Sequence, residues 1–183
     1  SAEYTSLNGY HIKACVCGAS DETGEKELHD INEYGSCSVC NYIMVAKTEI
    51  DGEVFYHSDM DDAFSTLFSS GKNGKITLLG DGTAYNHLIS DTDKNYILDL
   101  NGHNITVIVC IEVSDGSVLT VQDTSENQSG CIYAEYSSFT AIFVYGELIF
   151  NSGEICGVIE AYSHGGEYIA KVTANNGIFS GAV

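Results

Sequence analysis

The chain has 183 residues, enough to bury a substantial core, and its seven basic residues, all Lys, face 26 Asp plus Glu for a formal charge of −19. Such a field repels nucleic acid and anionic membrane surfaces, and no apolar run approaches the roughly 20 residues of a membrane helix. With no Pro or Trp, 19 Gly, 12 Tyr and many Asn, Ser and Thr, the composition points to an all-β chain with many corners.

The acidity suits solubility, cation binding or the crowded outside of a cell. The first residue is Ser, which fits a processed chain and a removed secretory signal.

Residues 1–41 read as a small Cys/His metal-binding segment. Cys37-Ser38-Val39-Cys40 is a C-x-x-C knuckle whose short reach lets two thiolates hold one tetrahedral ion, and His29 stands shortly before it. Cys17, His29, Cys37 and Cys40 make a Cys3His zinc site, with Cys15 or His11 as substitutes for Cys17. Two disulfides are the alternative in an oxidising compartment, but a His interleaved with paired Cys favours zinc. Four protein ligands leave no open position, so the ion is structural, and residues 18–36 carry so little apolar sequence that it supplies most of the segment's folding energy.

Residues 42–74 read as a hairpin and a capping helix. Alternating Ile43, Val45, Val54 and Tyr56 surround Asp51-Gly52, a strong hairpin signal. Over residues 58–71, Met60, Ala63, Phe64, Leu67 and Phe68 keep the spacing of one apolar helical face. Ser58 and Asp61 suggest a capping box, and Gly71 a helix end. Asp59, Asp61 and Asp62 complement the helix dipole; calcium is a second candidate ion at this cluster.

From residue 75 to 183 the chain reads as strands and corners. The stretch Asn95 to Val107, NYILDLNGHNITV, is two short strands about a polar turn. Cys110 to Val121 lines up with Ala141 to Ile149, and Ile132, Ile155 and Ile178 recur every 23 residues. Self-similarity of this period predicts a right-handed parallel β-helix of three short strands per coil, with Ile132, Ile155 and Ile178 in one interior ladder and Leu98, Leu119 and Leu148 in another. Cys131 and Cys156 are taken to precede equivalent or near-equivalent ladder positions and read as small, reduced core or corner residues. The final NNGIFSGAV stops within a repeat, which predicts further coils beyond Val183 or a second subunit covering that end.

The segment YILDLNGHNIT, with Leu98, Asp99, Leu100, Asn101, Gly102, His103 and Ile105, resembles the L-D-L-N-G-H-x-I segment of right-handed β-helix proteins in the pectate-lyase-like superfamily. The order of hairpin, helix and I-T-L-L strand ahead of it is similar to that in repeat-rich secreted and cell-surface proteins of anaerobic Gram-positive bacteria, and residues 29–42 resemble a zinc-ribbon-like insert of such proteins. The resemblance covers residues 42 to 183 and implies extracellular or cell-wall-associated placement, with the helix plugging one end of a solenoid.

Chemistry is sparse. The lyase branch of that superfamily uses calcium-binding acids and a basic Arg or Lys, and this chain has no Arg, with Lys171 the only Lys late in its coils and Lys94 near their start. Asp99, Asp115, Asp123 and Glu135 are candidates for the facing carboxylates of a glycosidase, but solvated corner acids are the commoner state. His103 suits the turn better than a base, and His57, His87 and His164 have no nucleophile nearby in sequence. Tyr133, Tyr136, Phe139, Tyr145, Tyr162 and Tyr168 form an aromatic set able to stack on sugar rings or to pack among strands. The function expected is therefore a non-catalytic surface scaffold, touching glycans or a host or cell-surface protein. The alternative is a polysaccharide lyase or glycoside hydrolase with a groove along the coils.

Overall fold

The computed structural model describes residues 3–7, 10–14, 26–28, 30–32, 36–39, 41, 43–89, 93–136, 139–163 and 169–181, with side chains from residue 30 onward except 86–89. Strands β1 (Glu3–Leu7), β2 (Tyr10–Ala14) and β3 (Lys26–Leu28) form an antiparallel sheet, β1 and β2 joined across Asn8-Gly9. This sheet was not foreseen in the segment read as a metal knuckle.

Next come β4 (Ala46–Ile50) and β5 (Glu53–His57), a hairpin with φ of 51° at Asp51 and 85° at Gly52. Positive φ at both turn residues matches the twist of the flanking strands, and Asp-Gly tolerates it best. Helix α1 (Met60–Ser69) follows, and its N-cap lies one residue beyond the expected Ser58: the Asp59 carboxylate accepts the Asp62 N–H at 2.8 Å. Asp61 reaches out of the helix to accept the Tyr85 N–H at 2.9 Å. Two of the three clustered acids are thus engaged in backbone hydrogen bonds. Met60, Ala63, Phe64 and Leu67 are buried, and Phe68 meets Tyr96 edge-on at 5.1 Å. Burying each large side chain contributes roughly 1.5–3 kcal/mol.

The remaining strands are β6 (Gly74–Leu78), β7 (Gly82–Ile89), β8 (Asn95–Asp99), β9 (Ile105–Val113), β10 (Val118–Gln122), β11 (Cys131–Ala134), β12 (Thr140–Val144), β13 (Glu147–Phe150), β14 (Glu154–Cys156), β15 (Val158–Ala161), β16 (Lys171–Ala174) and β17 (Ile178–Phe179). They lie in two seven-stranded sheets. The first has the order β16-β13-β10-β8-β6-β4-β5, parallel as far as β6 and then antiparallel through the hairpin. The second is parallel, in the order β15-β12-β9-β11-β14-β17 with β7 also on β9. Side chains from both sheets and the helix share one buried apolar cluster.

The expected right-handed β-helix with three strands per coil is corrected here, because the described strands form two open sheets and close into no solenoid. The reason lies in β9. It runs on past Val109, with a register shift between Ala84 and Asn86 opposite, so its first residues pair with β11 and its last with β12 in the same sheet. Where a third face was expected there is an irregularity within one strand. The hairpin, likewise, is the edge of the first sheet rather than a separate cap.

The ladders also shift. Ile132 does stand beside Ile155, but Ile155 pairs with Phe179, while Ile178 pairs with Glu154 and is 62% exposed. Leu119 stands beside Leu148 and Tyr96, and Leu98 beside Val121. A slip of one residue turns a side chain to the opposite face, so Ile178 points outward despite its even spacing.

His57 ends β5 in a buried position beneath the helix start, with no hydrogen-bond partner for Nε2 among the described residues. Burial lowers its pKa, and the nearby Asp62 and Asp59 carboxylates only partly oppose this. As pH falls below about 6.5, unfolded chains take up this proton before native ones do, so native chains bind fewer protons and stability falls with pH. Urea unfolding between pH 7 and 5 is expected to show a steeper loss for the wild type than for His57→Gln, by at most about 1.4 kcal/mol per pH unit. Parallel slopes would remove His57 from the pH dependence.

Candidate functional site

Three places concentrate chemistry. The first is the row of corners at the ends of β8 and β10. Asp99 is fully buried: its carboxylate meets Lys75 Nζ at 2.7 Å and accepts from the Thr124 and Asn101 N–H groups at 3.1 and 3.2 Å and from the Thr124 hydroxyl. Burial alone raises its pKa, but the hydrogen bonds from Lys75 and Thr124 outweigh that and hold it below the usual carboxylate value. Asp123, also buried, accepts the N–H groups of Gly102, Ser125 and Gly130 at 2.9, 2.9 and 2.6 Å. Gly130 must be glycine there, since a Cβ would lie 2.7 Å from that carboxylate and 2.6 Å from Leu100 Cβ.

Around the same corner, Asn101 and Gly102 take φ of 46° and 81°, and the Asn101 amide donates to Leu78 O at 2.9 Å. Asn104 receives a hydrogen bond from Cys131 N and gives one to Asp81. His103 stands 3.8 Å from Asp81, inside this turn network. Asp99 and Asp123, candidates for a catalytic pair, thus hold the corners together, while Asp115 sits in the next turn and Glu135 is exposed. Replacing Asp123 by Ala leaves one buried and two half-buried N–H groups without their acceptor. The expected loss is about 2–4 kcal/mol in urea unfolding, and a loss under 1 kcal/mol would show that the carboxylate is dispensable.

The second place is the outer face of the second sheet. Phe143 and Tyr162 stack with ring centres 6.1 Å apart, Tyr145 and Tyr162 at 6.0 Å, and Tyr136 meets Phe139 at 4.8 Å. Tyr133, Tyr136, Phe139 and Tyr162 are each exposed, and Tyr168 lies outside the described residues. Carboxylates interleave with the rings: Phe143 pairs across strands with Glu112 and Glu160, and Glu160 accepts from the Tyr162 and Thr140 hydroxyls. These hydrogen bonds lower the Glu160 pKa and raise that of Tyr162.

The third place joins β11 to β14. Ile132 and Ile155 turn inward, so their neighbours Cys131, Tyr133, Glu154 and Cys156 share the other face. Cys131 Sγ lies 3.2 Å from Cys156 Sγ, and these two sulfurs and a Glu154 carboxylate oxygen all lie within 4.8 Å of one another. Ser180 donates to Glu154. Burial, then the neighbouring Cys156 and Glu154, pushes the Cys131 thiol up to about 12 against a smaller opposing hydrogen bond from Tyr133; burial raises Cys156 as well. The group can hold a metal ion. The cysteines read from sequence as small, reduced core or corner residues are both free, Cys131 buried and Cys156 half-buried, and they also form a converging pair: one precedes and the other follows an aligned isoleucine.

Of the residues predicted to bind zinc, Cys15, Cys17, His29 and Cys40 lie outside the described residues, as does the side chain of His11. Cys37 is buried, bridges to Ile31, and accepts the Asn41 N–H through its carbonyl at 2.9 Å. An open groove on the outside of the first sheet includes Glu49, Asp51, Asn73, Lys75 and Ile97. Its acids are each ion-paired, Glu49 to Lys47 at 2.9 Å and Asp51 to Lys72 at 2.6 Å. No helix among the described residues is long and apolar enough to cross a membrane. Comparison with family models, curated proteins and solved structures returned no match.

Proposed function

We propose that this chain is a non-catalytic, secreted or cell-wall-associated module that contacts glycans through the aromatic strip of its second sheet. The carrying observation is the outward row of Phe143, Tyr145 and Tyr162 with Glu112 and Glu160 beside the rings. A sugar ring presents an apolar C–H face and a rim of hydroxyls. Aromatic faces cover the first, and carboxylates accept hydrogen bonds from the second. The strip rests on strands whose alternate residues, Ile142, Val144 and Ile159, are buried, so the rings are presented by a rigid surface.

A scaffold reading is favoured over a glycosidase or lyase by the engagement of the acids. Two carboxylates must face one glycosidic bond, about 5 to 9 Å apart, with room for sugar and water. Asp99 and Asp123 instead bind the chain's own N–H groups, and the groove acids carry lysine partners. The charge of −19 suits an extracellular surface and a neutral glycan. A structural zinc ion held by Cys17, His29, Cys37 and Cys40 belongs to the same proposal, supported by ligand spacing alone.

With no Trp in the chain, intrinsic tyrosine fluorescence reports on the strip. Neutral oligosaccharides that bind in a glycan-array screen are expected to change this fluorescence, and Phe143→Ala or Tyr162→Ala to weaken binding about two- to tenfold each, the value of one aromatic contact. No binding across the array, or binding untouched by both variants, would sink the glycan reading.

A further inference from the structure

The sulfur–carboxylate group on β11 and β14 is independent of the glycan reading. We propose that Cys131, Cys156 and Glu154 form a site for a borderline-soft divalent cation of the zinc class, linking successive passes of the chain. Two sulfurs and one oxygen are a donor set that such ions accept, whereas calcium and magnesium require oxygen throughout. Tetrahedral bonds of about 2.3 Å to sulfur and 2.0–2.2 Å to oxygen place ligand atoms between about 3.5 and 3.8 Å apart. The present 3.2 Å between sulfurs and 4.8 Å limit for the trio lie within a rotamer adjustment of that arrangement.

The strand register favours a metal over a disulfide. Cys131 pairs with Glu154 and Cys156 with Tyr133, so the cysteines sit diagonally across the ladder. Strand spacing of about 4.8 Å and a rise of about 3.3 Å per residue put diagonal Cα atoms about 8 Å apart in ideal strands. Disulfides rarely bridge more than about 7 Å, so closing the 3.2 Å between the sulfurs to a bond works against an ideal strand register. An ion needs no such closure.

Outer contacts are also in place. The Ser180 hydroxyl hydrogen-bonds Glu154, and Asn104 accepts the Cys131 N–H at 3.1 Å. Ser180 follows β17, the two-residue strand paired with β14, and is placed to orient the carboxylate or take the fourth position. Binding replaces both thiol protons, two H⁺ leaving as M²⁺ enters, and no oxidant or reductant takes part. An ion there ties β11, β14 and the end of β17 together at the part of the sheet where Ile178 is exposed.

The test uses the full chain, reduced and chelator-treated, titrated anaerobically with Co²⁺ and then Zn²⁺. Because the N-terminal cysteines Cys15, Cys17, Cys37 and Cys40 can bind metal themselves, the background is Cys15→Ser/Cys17→Ser/Cys37→Ser/Cys40→Ser. That variant is expected to bind one Co²⁺ per chain, with a thiolate-to-cobalt charge-transfer band bleached by Zn²⁺, and to melt at higher temperature with Zn²⁺. Adding Cys131→Ser/Cys156→Ser should abolish the band and the shift. Glu154→Gln, a half-buried surface change that leaves the core intact, should keep the band and weaken binding at least tenfold. A band that persists without Cys131 and Cys156, no Co²⁺ uptake by the background variant, or a disulfide between Cys131 and Cys156 in freshly isolated protein would each overturn the proposal.

Discussion

The corners that follow β8 and β10 hold backbone N–H groups that neither sheet pairs, and the buried carboxylates of Asp99 and Asp123 accept them. Asp123 accepts three N–H groups, from Ser125 and Gly130 in its own corner and from Gly102 in the corner 21 residues earlier. Asp99 does the same for its own turn and for Thr124, and carries the Lys75 ammonium as counter-ion. A buried carboxylate is costly unless charge and donors surround it; here both are supplied, so the strands on either side are fixed in register. The aromatic strip and the thiol pair both depend on that register, since each is assembled from residues on different strands.

Local signals in the sequence were sufficient for local structure. Asp51-Gly52 supports positive φ at two successive residues, and the hairpin is there. The spacing of Met60, Ala63, Phe64 and Leu67 dictates one buried helical face, and all four are buried. Asn8-Gly9 between Glu3–Leu7 and Tyr10–Ala14 carries the same kind of hairpin signal ahead of the cysteines.

Partition among sheets was not legible. A period of about 23 residues tells that strands recur, but whether a repeat makes two faces or three depends on whether residues such as Ile108 and Val109 turn a corner or continue a strand. Both are apolar β-formers, so no local preference marks the site. The same limit misplaced Ile178: equal spacing suggested a third inward isoleucine, whereas Phe179 fills that place and meets Phe150 at a tilt with ring centres 5.0 Å apart. Acids in corners were legible as corner residues but not as acceptors. Cys131 and Cys156 were legible as neighbours only once Ile132 and Ile155 were aligned and the outward face was followed.

The hairpin strand β5 forms one end of the first sheet, paired with β4 alone among the described residues, and its Val54, Phe55 and Tyr56 are all exposed. An open edge bearing three consecutive apolar side chains is a template for adding another strand. Strand chemistry offers little defence there beyond Glu53 and the turn acid Asp51. Opposing that pairing is the overall charge of −19, a repulsion screened beyond about 8 Å at physiological salt. The colloidal behaviour of this molecule is therefore governed by ionic strength, and the acidity that opened its sequence acts as a guard on a specific strand.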